Sequence, residues 1–509
     1  MLTEHCDKAN FGRACLYLVS CASFLPEPEN SLCLANAHAI YLRVGRVPDA
    51  LRVGLMMGTP AAVEAAFLAA GDRTTRRQLA HMLARAAWPL SLEEGGVAAG
   101  CAGDDAEALA EILSNCKLSE QYLALARDLD VMEPKTAEDI YKSHLSEGRA
   151  AQGAAVDSAR ANLAATFVNG FVNAGFGVDK LMTVEEAPGG EGVAWIFKNK
   201  DHGKASATAS LGLVLMWDVD GGLPQIDKYL YAPDPHVVAG ALLAVGITTS
   251  RVRTEYDPAF ALISEHATKG ALEVRLGAIL GLGVAYCGAA KEEVAQLLCA
   301  VVTDGSAPIE VASYAALALG LVFVGSGHGE CAEAALQALM TRSEAELDSP
   351  LAKLLLLGLG LLFLGRGAAV DATLEVAKTL APRAARYAAV LLEGCAYAGT
   401  GNVLKVQALL AVVGERGDPK EENPPAWRDE HQSAAVRARV AAPRLRLGSR
   451  LPQPCARVPR RGGGCRCWAL RWWPWARTWV PRWPAARWSM FCSTARRRRG
   501  ARCRWRWRC

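Results

Sequence analysis

The chain has 509 residues and a formal net charge of +4. With 51% hydrophobic and 21% charged residues it can bury a large core, which excludes a globally disordered protein. The +4 hides two parts: residues 431–509 carry 21 arginines and no lysine, aspartate or glutamate, which leaves 35 basic against 52 acidic residues before them. A body of −17 is not that of a generic basic nucleic-acid binder, and the +21 tail needs its own explanation.

Met1–Asn10 carries Glu4, Asp7 and Lys8 and lacks the apolar core of a secretory signal. Residues 1–145 predict short amphipathic helices, for example Ala61–Ala70 and Asp105–Leu113, with turns at Pro26-Glu27-Pro28 and Gly95–Gly96. Residues 146–205 form a mixed connecting segment with a turn at Gly189–Gly190. Residues 206–414 are rich in Ala, Leu and Gly and repetitive. Residues 415–430, with Pro419, Pro424 and Pro425, predict a polar loop, and the Arg/Trp/Pro tail 431–509 follows.

The repeats are the strongest signal. One glycine recurs at Gly212, Gly246, Gly283, Gly320, Gly360 and Gly394, at spacings of 34 to 40 residues. In the last four units a second follows five positions later, at Gly288, Gly325, Gly365 and Gly399. Each unit reads small-Leu-x-Leu-Gly-apolar-apolar-aromatic-x-Gly, and a more polar helix comes next, as in Lys291–Val301 and Glu330–Met340. This period fits two antiparallel helices per repeat, so the fold class is all-α, an α-solenoid. Glycine inside a helix costs about 1 kcal/mol relative to alanine. Its recurrence predicts an inner layer in which neighbouring backbones approach closely, with the charged second helices outside. The second glycine suits a helix C-cap at positive φ.

Other chemistry is sparse. The apolar run Leu354–Gly365 is too short to span a bilayer and predicts a buried helix. Gly358-Leu-Gly360 lacks the Lys-Ser/Thr of a phosphate loop and sits in an apolar helix pattern. The 16 cysteines have no zinc spacing and suit small core residues of a reducing compartment. No catalytic triad or paired carboxylates stand out, and His202 suits a hydrogen-bonding role at a turn. The expectation is a non-enzyme with no cofactor and no metal, bound to neither nucleic acid nor membrane.

The repeats resemble the proteasome/cyclosome repeats of the two largest non-ATPase subunits of the proteasome regulatory particle. Flanking segments favour the subunit 2 family of the two. They include Cys15-Leu-Tyr-Leu-Val-Ser-Cys21, Pro26-Glu-Pro-Glu-Asn30, the run 123–135, Asp139-Ile-Tyr-Lys142 and Val156-Asp-Ser-Ala-Arg160. Phe167-Val-Asn-Gly-Phe-Val-Asn173, Lys198-Asn-Lys-Asp-His-Gly203, Trp217-Asp-Val-Asp-Gly-Gly222, Gln225-Ile-Asp-Lys-Tyr-Leu-Tyr231 and Gly401-Asn-Val-Leu-Lys-Val-Gln407 continue the match. The larger proteasome/cyclosome-repeat subunit and a generic α-solenoid interaction protein outside the proteasome are the alternatives. The resemblance implies a toroid, normally closed by further sequence on both sides, which is expected to be absent here.

The resemblance also bears on the tail. Trp475-Ala-Arg-Thr-Trp479, read one base earlier, can encode Met-Gly-Glu-Asp-Leu-Gly, a family pattern that follows the acidic loop. The same shift turns Cys467–Trp475 and Cys503–Cys509 into apolar and small-residue strings in the family's order. Out-of-frame translation from somewhere in 415–465 onward is therefore the expectation; an Arg/Trp arm for RNA or anionic membrane is the competing reading.

The resemblance implies a scaffold of the regulatory-particle base in the cytoplasm and nucleus. Its implied partners are ATPase-ring subunits, ubiquitin, ubiquitin-like shuttle proteins and a ubiquitin-specific deubiquitinase. Ubiquitin-like folds present an apolar patch rimmed by basic residues, so a receptor needs apolar anchors with acidic neighbours. The family's Asn-Gly-Asp motif reads His328-Gly329-Glu330 here, which keeps the charge and loses the Asn. The ubiquitin candidates are Glu310, Glu330, Glu333, Gln337 and Thr341, with Glu344 and Glu346 nearby in sequence. The deubiquitinase-docking candidates are Asp218, Asp220, Gln225 and Asp227.

Overall fold

The computed structural model describes residues 6, 9–22, 24–26, 28–88, 104–141, 158–183 and 191–414. The expected turns at Gly95–Gly96 and Gly189–Gly190, the loop 415–430 and the tail 431–509 lie outside the described residues. The regular elements among those residues are all helices, with no strand.

An N-terminal group packs α1 (Phe11–Ala22), α2 (Glu29–Val44), α3 (Val47–Met57), α4 (Pro60–Leu68), α5 (Arg73–Ala86) and α6 (Asp104–Ser114) around one core. Ile40, Leu51, Val63, Leu79 and Leu83 are fully buried in it. The boundaries follow local chemistry. Gly45 and Gly58 end α2 and α3 in the left-handed conformation, Pro60 opens α4, and Asp72 caps α5 by accepting from the Thr75 N–H at 2.8 Å. The expected helices at 61–70 and 105–113 are α4 and α6.

After α7 (Leu118–Asp128) and the short α8 (Ala137–Tyr141), α9 (Ser158–Val172) and α10 (Glu191–Lys198) lead into the repeats. The inner helices are α11 (His202–Val214), α13 (Pro235–Thr248), α15 (Leu272–Ala285), α17 (Ile309–Val322), α20 (Ala352–Leu362) and α22 (Pro382–Ala396). Each packs on the next in chain order. The outer helices are α12 (Val219–Leu230), α14 (Pro258–Thr268), α16 (Glu292–Thr303), α18 (Gly329–Thr341) and α21 (Asp371–Ala377), and α19 (Glu344–Leu347) is a single turn. α23 (Val403–Gly414) closes the described chain. One apolar core runs through this array from Met182 to Ala396.

The inner contacts are backbone on backbone. A Cβ at Gly212 would lie 2.6 Å from the Cα of Ala244, and one at Gly281 would lie 2.7 Å from the Leu242 carbonyl oxygen. Gly246 faces Gly281, and Gly320 faces Gly358, each without room for a methyl group. At Gly283 a Cβ would meet Ala318 at 2.9 Å, and at Gly360 the Leu391 side chain at 2.5 Å. Gly394 lies within α22. Gly358 and Gly360 are thus interior residues of a packed helix, with no exposed N-terminal amides to cradle a phosphate.

The second glycines adopt left-handed φ, from +66° at Gly325 to +76° at Gly399. The N–H groups of the first three do something other than cap their own helices. Gly288 donates to the Leu321 carbonyl at 2.9 Å, Gly325 to Leu361 at 2.9 Å and Gly365 to Cys395 at 3.1 Å, each near the end of the next inner helix. The turn of one repeat thereby satisfies orphan carbonyls of its successor. Trp217, at the same position and also left-handed at φ +69°, donates to Thr248 at 3.0 Å. The pattern begins in α9, within the segment expected to be a connector: Gly170 packs on Ser210 and Leu213, and Gly175 donates to the Leu213 carbonyl at 2.9 Å.

Arg251, next in this series and left-handed at φ +67°, breaks the pattern. Its loop meets the N-terminal group. Arg253 N–H donates to the Ser114 carbonyl at 2.8 Å, and the Asn115 amide donates to the Arg251 carbonyl at 2.9 Å. The Arg251 guanidinium donates to the Arg85 carbonyl at 3.0 Å, at the end of α5, where the helix dipole favours a cation.

Candidate functional site: an acidic outer face on the repeats

Outer helices carry the polar side chains because their other side is committed to the inner layer. In α18, Cys331, Ala332, Ala334, Ala335, Ala338 and Leu339 are buried. Glu330, Glu333, Gln337 and Thr341 are exposed, and helical spacing sets the last three on one line. Met340, which the sequence reading did not single out, stands beside this line with 53% of its surface exposed. It is an exposed apolar residue with Gln337 one turn and Glu333 two turns before it, and its signal was available as a methionine outside the apolar stripe of a predicted outer helix. Glu310 is on another helix, half-buried in the first turn of the inner helix α17.

His328 starts α18. Its Nδ1 accepts from the Cys331 N–H at 3.4 Å, its ring packs on Phe323 at 4.5 Å between centroids, and its Nε2 lies 3.4 Å from Glu292 of α16. His328 therefore caps α18 and joins two consecutive outer helices. At the other end Arg342 donates to the carbonyls of Ala307 at 2.7 Å and Asp304 at 2.9 Å and pairs with Glu346 at 3.1 Å. The Ser343 capping box holds the Glu346 carboxyl below the usual carboxylate range. Glu346 is thus tied to α19, while Glu344 stays exposed.

The second acidic group lies on α12. Asp218 caps the helix by accepting from the Gly221 N–H at 3.0 Å, so its carboxylate is partly engaged. Asp220, Gln225 and Asp227 are exposed, and Tyr231 just past the helix is 83% exposed. Gln225 donates to the Gly221 carbonyl at 3.2 Å. Trp217 is held edge-on against Tyr122 of α7, 5.6 Å between centroids, which anchors the start of this face to the segment before the repeats.

Several motif residues prove to be structural. Asn169 and Asn173 of the Phe167–Asn173 motif are buried. Asn173 accepts from the Lys135 N–H at 3.0 Å and donates to the Lys135 carbonyl at 2.9 Å, while Asn169 donates to Asp179. His202 packs edge-on against His236 at 5.1 Å in the first turns of α11 and α13. Between the same two turns Lys204 pairs with Asp234 at 2.6 Å, and this contact holds the Asp234 carboxyl below its usual value. In the repeat that follows, Tyr286 and Lys291 both donate to Asp257. Among the described residues no cluster of His, Cys, Asp and Glu could hold a metal ion, and no helix is long and apolar enough to cross a membrane.

Residues 1–146 match the family model described as RPN1 N-terminal domain. The repeats agree with the same source: over 416 residues the chain is 49% identical to the 26S proteasome non-ATPase regulatory subunit 2 homolog B of Arabidopsis thaliana. The chain is a homologue of 26S proteasome non-ATPase regulatory subunit 2. The likeness to homolog B covers 82% of this chain and 46% of that protein. Subunit 2 of Dictyostelium discoideum is 40% identical over 408 residues, covering 80% and 43%. Regulatory subunit rpn1 of Schizosaccharomyces pombe is 42% identical over 407 residues, covering 80% and 44%. The chain thus spans just under half the length of these subunit 2 relatives. All three are named as regulatory subunits of the 26S proteasome, two of them as non-ATPase.

Proposed function

We propose that the chain is a non-catalytic scaffold and receptor of the proteasome regulatory-particle base. It docks on ATPase-ring subunits and takes ubiquitin and ubiquitin-like shuttle proteins on α18. It takes a ubiquitin-specific deubiquitinase on α12, and it works in cytoplasm and nucleus. The observation that carries the receptor reading is the exposed face of α18, where Glu330 and the line of Glu333, Gln337 and Thr341 lie on the same side as the exposed Met340. Carboxylates beside an apolar anchor complement a basic-rimmed apolar patch, and the close-packed inner layer holds them in fixed register. On α12, Asp227, one turn before the exposed Tyr231, repeats that chemistry, with Asp220 exposed at the start of the helix.

The test is a titration of the full chain with isotope-labelled ubiquitin and with a ubiquitin-like domain, followed by NMR. The expected result is broadening confined to the apolar patch and its basic rim. Met340→Ala is expected to weaken binding by about tenfold, a typical loss for a central anchor. Glu333→Lys is expected to weaken it further at low salt than at high salt. Unchanged affinity in both variants would remove α18 from the function.

A further inference from the structure

The sulfur atoms of Cys299 and Cys331 lie 4.0 Å apart. They belong to consecutive repeats: Cys299 is on α16, and Cys331 is near the start of α18. Cys331 is fully buried and Cys299 partly exposed, so a small oxidant reaches one thiol of the pair and not the other. Forming a disulfide requires the sulfurs to close to about 2 Å. Rotation about the side-chain bonds and a small slide of α18 along α16 can supply that movement, because the two helices are already in contact.

We propose that Cys299 and Cys331 are a redox modification site, oxidised by a hydroperoxide to a disulfide that fastens one repeat to the next and reopened by a dithiol reductant. The Cys299 thiolate attacks the peroxide oxygen. The O–O bond breaks, Cys299 becomes a sulfenic acid, and the departing oxygen leaves as an alcohol or, from hydrogen peroxide, as water. Cys331 then attacks the sulfenic sulfur; the S–S bond forms, and the sulfenic oxygen leaves with the Cys331 proton as water. Two electrons pass from the thiol pair to the peroxide. The division of labour follows the surroundings. The hydrogen bond shared with Cys331 holds the Cys299 thiol below its usual value, whereas the same contact and burial push Cys331 up. Cys299 is therefore the attacking group and Cys331 the resolving one. The site does not depend on what α18 binds.

The experiment treats the full chain with hydrogen peroxide, blocks remaining thiols with N-ethylmaleimide and maps the cysteines by mass spectrometry. Trypsin leaves both cysteines on the peptide Glu292–Arg342, and cleavage after Glu310 separates them unless they are bonded. The expected result is a linked pair of fragments, lighter by two hydrogens, that a dithiol reductant separates. In Cys331→Ser, dimedone is expected to label Cys299; in Cys299→Ala, Cys331 is expected to stay reduced. The exposed Cys116 reports that oxidant was sufficient. Cys299 and Cys331 both maleimide-blocked while Cys116 is oxidised would overturn the proposal. So would Cys299 driven to the sulfinic acid with no link.

Discussion

Gly320 and Gly358 face each other across the contact of α17 and α20, so a methyl group at either meets main chain and not a side chain that could turn away. Gly358→Ala is expected to cost about 3 kcal/mol or more, the upper end for overpacking, because two helix backbones must separate. Gly12→Ala, where nothing lies within 4 Å, is expected to be neutral or to stabilise by up to about 1 kcal/mol. Chemical denaturation of both variants measures the contrast, and equal effects would mean that the inner contacts are looser than described. Gly365→Ala tests backbone conformation: at φ +74°, with nothing within 4 Å of an added Cβ, a cost of about 1 to 2 kcal/mol is expected. The helix glycines were legible in the sequence because a repeated cost implies a repeated contact. What the turn glycines do was not, since positive φ is a property of one residue while their hydrogen bonds reach the next repeat. Trp217 and Arg251 hide the same position because a side chain there conceals the backbone demand.

At the scale of elements, the loop of Arg251 and Arg253 joins the N-terminal helices to the repeats through main-chain carbonyls. Both guanidiniums are exposed and each cation at a helix end contributes modestly, so replacing both by alanine is expected to cost about 1 kcal/mol. Hydrogen exchange should then accelerate at the ends of α5 and α6, with the repeats unchanged. No sequence pattern announces this joint, because its acceptors are backbone groups that any residue supplies. Within the N-terminal core, His38 is buried with Nε2 3.0 Å from the Ala62 carbonyl, to which it donates when neutral, and burial lowers its pKa. Its neutral form therefore supports folding above about pH 6.5, and that support fades as pH falls from there toward the lower folded-state value. The loss cannot exceed about 1.4 kcal/mol per pH unit. Thermal melts between pH 7 and pH 5 should show a shallower decline in His38→Gln than in the parent chain.

For the whole molecule, fold class was legible because a period of 34 to 40 residues repeats through 206–414 and the helix pairs follow it. The candidate face was legible only in part. Glu330, Glu333, Gln337 and Thr341 fall together because they share one helix, whereas Glu310 belongs to another layer and Met340 was passed over. The charge also separates: the acidic −17 lies in the body, and the +21 follows it. The shifted-frame reading of the tail predicts a transcript that, across codons 415–470, stays open in the frame giving Met-Gly-Glu-Asp-Leu-Gly; a transcript reproducing the Arg/Trp tail in frame would contradict it. The central claim, a scaffold of the proteasome base, is tested most directly by recovering the tagged full chain from its own cells and identifying what comes with it by mass spectrometry. The prediction is stoichiometric recovery of ATPase-ring subunits, lost when the inner stack is disrupted by Gly358→Ala. Recovery of the folded chain without any ATPase-ring subunit would contradict it.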